Sequence, residues 1–299
     1  MNENMEVLQP ETEKAAAGKP AGENKLESSK HLLVINIIEK LLIKAKARWN
    51  QGFFDENAAW VEKVGHYCVL LSAVLGFLAG LISAIKFDQM TPLGIGIIWM
   101  FTLLVLQFIA HKFIVASAKL IKSTESQMSS PSFLDSLSVV NILVGFGCLI
   151  GGIFLAIKTS DWTFVISGIM MFWAFEYFAS LSMNPKMLNI NVVEQATAGQ
   201  EAIGLISFFM KGMLKLVPVY FGTWMVIGTF HLIDALITLI GKNSYMFMEP
   251  VTTASYAILA ALLSPFVIYL VFMFQYLFLD VINSILDIPA KIGSISKNQ

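Results

Sequence analysis

Residues 66–113 read HYCVLLSAVLGFLAGLISAIKFDQMTPLGIGIIWMFTLLVLQFIAHKF, and this stretch decides the fold. Two apolar runs, 66–85 and 93–113, each hold about the 20 residues that cross a hydrocarbon core. Lys86 to Pro92 between them carry the charged and turn-forming residues of a short connection. Lipid offers the backbone no hydrogen bonds, so each run must be a helix, and the pair is a helical hairpin.

Four more runs of this kind lie at about 138–157, 163–183, 218–240 and 254–280. The chain of 299 residues is 56% hydrophobic and only 14% charged, outside the usual range of a soluble globular protein. The fold expected is all-α, a polytopic membrane bundle of about six transmembrane helices in three hairpins, accompanied by cytoplasmic amphipathic helices. Four segments follow from the composition. They are a disordered cytoplasmic tail over 1–30, an amphipathic cytoplasmic or interfacial segment over 31–65, the six-span domain over 66–288, and a cytoplasmic tail over 289–299.

Lysine and arginine set the orientation. Lys46, Arg48, Lys63, Lys112, Lys119, Lys122, Lys186, Lys211, Lys215, Lys291 and Lys297 flank one set of span ends, whereas Lys86, Lys158 and Lys242 flank the other. The positive-inside rule then places both termini and the two longer loops in the cytoplasm. The first 30 residues show no apolar core preceded by a basic stretch, so the first span is expected to act as the targeting signal. The plasma membrane of a bacterium is the default location. Net charge is −1 and no basic stripe runs along any span, which gives no reason to expect nucleic-acid binding.

Two stretches read as interfacial helices. Leu32, Ile35, Ile38, Leu42 and Ala45 share a helix face with Lys40, Lys44, Lys46 and Arg48 nearby, so segment 31–48 is suited to anionic lipid or to packing on the protein's own loops. Ile203, Ile206, Phe209, Met210 and Met213 form a second face, expected to end at Pro218 in the first turn of the fifth span. The apolar run from Ser255 to Ile288 exceeds one bilayer thickness, so it either kinks at Pro265 or runs on into the cytoplasm.

An internal repeat appears at an offset of 72: Gly80, Ala84, Ile85, Lys86, Thr91, Gly96 and Ile97 match Gly152, Ala156, Ile157, Lys158, Thr163, Gly168 and Ile169. Two spans separate the copies, which is the parallel type of membrane repeat.

No phosphate loop, GxSxG elbow, HExxH, CxxC or dinucleotide fingerprint is present. No catalytic residue, cofactor or metal site is therefore assigned, and the enzyme reading is disfavoured. Polar residues inside the spans are the remaining candidates. Glu176 lies within the fourth span, where a carboxylate costs about 2.5 to 3.5 kcal/mol even on lenient scales. Gln107 falls at matching depth, with His111 one turn beyond and Gln275 toward the same cytoplasmic half, giving either a protonation or cation site or a neutral Glu176 bonded to Gln107 as interhelical glue. His231 and Asp234, three apart on the fifth span, form either a proton relay or a solvated interfacial pair. Ser72, Gly76, Gly80 and Ala84 on the first span, and Gly147, Gly151, Gly152 and Ala156 on the third, are small-residue stripes for helix packing, within the chain or between copies.

Three functions follow from this reading: a non-enzymatic scaffold or assembly component with a membrane-protein partner or a homo-oligomer, a small secondary transporter or ion-conducting protein using Glu176, and an intramembrane lipid-acting enzyme. The first is preferred because the cytoplasmic side is elaborate while intramembrane polar groups are few. The lipid bilayer is the common partner of all three.

Overall fold

The computed structural model describes residues 37–40, 42–44, 51–193, 197–241 and 247–286. The chain divides into residues 1–40 and 41–299. Of the first unit only the short helical stretch 37–40 is described. The expected tail 1–30, most of the amphipathic segment 31–48 and the tail 289–299 lie outside the described residues.

Among the described residues of the second unit, six long helices stand out: α1 (Gln51–Phe87), α2 (Thr91–Ser123), α3 (Pro131–Thr159), α4 (Thr163–Met183), α5 (Ala198–Ile240) and α6 (Met248–Leu286). All six are long and apolar enough to cross a membrane. The chain is an integral membrane protein of helical-bundle type, and side chains such as Ile98, Phe101, Phe154 and Phe274 point outward as lipid-facing groups do. A pair of three-residue strands, β1 (Ser126–Met128) and β2 (Ile190–Val192), and a 3-10 turn, Pro185–Leu188, occupy the longer connections.

Three antiparallel hairpins result: α1 with α2, α3 with α4, and α5 with α6. The first and third pack into a four-helix body, α1 against α5 and α2 against α6, around Val69, Leu103, Val217, Phe221, Met225, Ile258 and Leu262. The second joins through α4 on α5. A second core, at the end carrying the longer connections, gathers Phe54, Tyr177, Leu181, Leu188, Ile190 and Phe208.

Glycine sets the closest crossings. A Cβ on Gly80 would lie 2.6 Å from the Pro92 oxygen and 3.0 Å from Gly96 Cα; on Gly152 it would lie 2.6 Å from the Phe164 oxygen and 2.8 Å from Gly168 Cα. These positions are offset by 72 throughout. The turns match as well: α1 and α3 end at Phe87 and Thr159, Asp88 and Ser160 follow with φ of 51° and 56°, and α2 and α4 begin at Thr91 and Thr163. Hairpins one and two thus share crossing and turn geometry as well as sequence. Of the two small-residue stripes, Gly76, Gly80 and Gly152 make such contacts, whereas Gly147 and Gly151 face open space. Ser72 donates or accepts at 2.9 Å with Thr229, tying α1 to α5. Ala84 is buried and Ala156 half-buried.

One expectation about helix ends is corrected. No interfacial helix stops at Pro218, because α5, 43 residues in all, runs unbroken through it. Proline removes one backbone donor, but Leu214, Val217, Val219 and Phe221 around it are all buried, and their packing holds the helix on course. At 1.5 Å per residue α5 is about 65 Å long, roughly twice a hydrocarbon core, so its first half projects beyond the span. Helix α6 is likewise unbroken at Pro265.

Candidate functional site

Glu62 and His66 stand one turn apart on α1, and Gln107 and His111 one turn apart on α2. Antiparallel pairing brings the four together. Glu62 Oε1 lies 3.8 Å from His66 Nε2 and 4.0 Å from His111 Nδ1, and the donor atoms of all three residues fall within 4.8 Å of one another. Gln107 Nε2 donates to the His66 carbonyl at 3.1 Å and sits 3.4 Å from His66 Nδ1. The His66 ring rests on Phe221, with centroids 4.8 Å apart, while its Nε2 is buried without a hydrogen-bond partner. A cavity of about 420 Å³, lined by Ala59, Glu62, Lys63, His66, Tyr67 and His111, opens the cluster to the outside.

Gln107 and His111 were legible as a polar layer, but their neighbour is not Glu176. Helix α2 packs on α1, α5 and α6, whereas α4 packs on α3 and α5. Glu176 is 6% exposed and sits against α3, where a Cβ on Gly145 would lie 3.3 Å from Oε1. Neither of its oxygens has a hydrogen-bond partner. Gln275 is exposed on α6, and no hydrogen bond or ion pair joins His231 to Asp234. Glu62 lies before the apolar run that opens at His66, so the sequence does not pair the two as one polar face. The signal was there: His66 and His111 are almost equally distant in sequence from the turn at Gln89.

The chain matches no protein-family model, no curated protein and no solved structure.

The second constructed feature is a platform tying the two longer connections together. Strands β1 and β2 pair in parallel, Ser126 opposite Ile190 and Met128 opposite Val192. Asn189, left-handed at φ 54°, donates from its side chain to the carbonyls of Thr124 at 2.8 Å and Lys122 at 3.2 Å. Beneath them Lys211 is 0% exposed, and its Nζ donates to the Thr124 and Asn189 carbonyls at 2.7 and 3.2 Å. Gly204 allows β1 to lie directly on α5, since a side chain there would meet the Gln127 backbone. Glu201, in the first turn of α5, accepts from the Ser129 hydroxyl at 2.7 Å and from the Ser129 amide. Partial burial pushes the Glu201 carboxyl up, but the hydrogen bonds from Ser129 and Ser130 outweigh it and hold the group below the usual carboxylate range. Asp55 completes the frame, pairing with Lys215 at 2.8 Å and accepting from the Tyr177 hydroxyl at 3.1 Å. Three-residue strands are too short to show alternation, so nothing in the sequence announced this pairing.

At the opposite end Lys86 Nζ donates to the carbonyls of Leu239 and Gly241 at 2.7 and 3.1 Å, capping α5 with a cation where the helix dipole favours one.

Proposed function

We propose that the chain is a non-enzymatic membrane scaffold or assembly component, and that the platform around β1 and β2 is its docking surface. Lys211 carries this reading. A buried ammonium is costly unless hydrogen-bonded, and this one donates to two loop carbonyls, with the Glu125 carboxylate favouring its charge. Such an arrangement favours a connection with one defined shape, as recognition by a partner requires. The charge asymmetry of the sequence supports a cytoplasmic position for this platform. Polar groups within the helices support the same reading: Ser72 with Thr229, and Gln107 with His66, join helices pairwise instead of lining one continuous path.

The test compares the full-length protein with Lys211→Met, each isolated in gentle detergent from its native membrane and analysed by mass spectrometry. A stoichiometric partner is expected with the wild type, reduced several-fold with the variant at equal helical content. Recovery of the wild type alone, or equal recovery from both, refutes the reading.

Glu176 favours a second reading, a transporter or ion-conducting protein. Both its oxygens are buried and unpartnered, the state in which a carboxyl binds a proton or cation most readily. Glu176→Gln retains shape and removes ionisation. Reconstituted wild type should then show acid-dependent flux that the variant lacks, and equal flux from both eliminates this reading.

A further inference from the structure

We propose that Glu62, His66 and His111 bind one divalent first-row transition-metal ion, which clamps α1 to α2. The proposal is independent of the scaffold reading.

Two imidazoles and a carboxylate are a common donor set for such ions, with further positions left to water or another ligand. The three donor atoms already lie within 4.8 Å of one another. Around a tetrahedral ion with bonds of about 2.0 to 2.1 Å they would stand roughly 3.3 Å apart, so side-chain rotation of about 1 Å closes the site. Glu62 Oε1 is central, at 3.8 and 4.0 Å from the two imidazole nitrogens.

Two further observations point to a ligand. The first is His66 Nε2, buried without a hydrogen-bond partner and facing Glu62 at 3.8 Å. A metal ion would satisfy it. Coordination through Nε2 requires the proton on Nδ1, and Gln107 stands beside Nδ1 at 3.4 Å. Turning the Gln107 amide presents its oxygen to that N–H, the outer-shell bond that orients metal-bound histidines. The His66 carbonyl then loses its bond from Gln107 and keeps its bond within the helix.

The second observation comes from the repeat. Hairpin two has the same crossing and turn as hairpin one, yet at the positions offset by 72 from Glu62, His66, Gln107 and His111 it carries Leu134, Ser138, Ala179 and Met183, all buried. Packing a hairpin of this shape does not call for a carboxylate and two imidazoles. Lys63, which also lines the cavity, is exposed and free to turn into water.

The experiment uses the full-length chain in detergent, freed of any polyhistidine tag and stripped with a chelator, titrated with Zn²⁺ by calorimetry. One Zn²⁺ per chain is expected. Glu62→Gln, His66→Ala and His111→Ala should each weaken binding at least tenfold. His231→Ala, which removes a histidine on α5 outside the cluster, should bind as the wild type does. Gln107→Leu should weaken binding by about 10- to 100-fold without changing stoichiometry. Co²⁺ should give a visible absorption spectrum that disappears with His66→Ala, a readout that loose surface binding does not produce. Zn²⁺ should also raise the unfolding temperature of the wild type and leave that of Glu62→Gln unmoved; this near-isosteric change at a partly exposed position keeps the comparison valid should the histidine variants fold poorly. Absence of stoichiometric Zn²⁺ binding to the wild type, or equal binding by the wild type and all cluster variants, overturns the proposal.

Discussion

Gly151 and Gly152 are neighbours, and the fold assigns them opposite sensitivities. A methyl group on Gly152 would press into the Phe164 carbonyl at 2.6 Å and Gly168 Cα at 2.8 Å. Both obstacles are backbone of α4 and cannot swing aside, so the helices must separate by roughly 1 Å or distort. Overpacking of this kind costs about 1 to 3 kcal/mol, which is about 5- to 150-fold in the unfolding equilibrium. On Gly151 the same methyl meets nothing within 4 Å, and alanine there gains up to about 1 kcal/mol of helix propensity. Gly152→Ala should therefore lower the stability of the detergent-solubilised protein while Gly151→Ala leaves it equal or higher, measured by far-ultraviolet circular dichroism during titration with a denaturing detergent. Gly80→Ala should behave like Gly152→Ala, because its Cβ would meet the Pro92 oxygen at 2.6 Å and Gly96 Cα at 3.0 Å. Equal destabilisation by Gly151→Ala and Gly152→Ala would refute the crossing geometry.

Two further predictions concern the platform and the orientation. Because the folded Glu201 carboxyl is held below its ordinary range, it stabilises the link from β1 to α3 fully above the unfolded carboxylate pKa of about 4.3, and this contribution is lost as pH falls through the lower folded value. Amide-exchange protection at Ser129 should drop in that acidic window for the wild type and show no such step in Glu201→Gln. In a background of Cys68→Ser and Cys148→Ser, an impermeant maleimide should label Ser160→Cys in intact cells and Glu125→Cys only after lysis; the reverse pattern would invert the topology.

Much of the fold was legible because lipid permits so few backbone solutions. Runs of about 20 apolar residues can only be helices, and the short link from Lys86 to Pro92 made the first pair a hairpin. Contacts between helices were less legible. Residues at equal depth share a layer but not a neighbour, so Gln107 was matched with Glu176 when it belongs with His66. Four-residue spacing identified a small-residue stripe on α3, yet only the position of α4 decides that Gly152 is in contact and Gly151 is not. Lys211 and Lys215 read alike in the sequence, as cations flanking one set of span ends. Lys211 is the buried one because β1 and the Asn189 turn close over it, and Lys215 instead meets Asp55 of α1. Both outcomes depend on pairings across long sequence separations, to which local periodicity is blind.

Docking of a partner on the β1–β2 platform can be read from a photo-crosslinking amino acid placed at the exposed Gln127 in native membranes, with Ser160 in the short α3–α4 turn as the comparison site. One discrete crosslinked species is expected from Gln127 and none of that size from Ser160. No adduct from Gln127, or the same adduct from both positions, would contradict such docking.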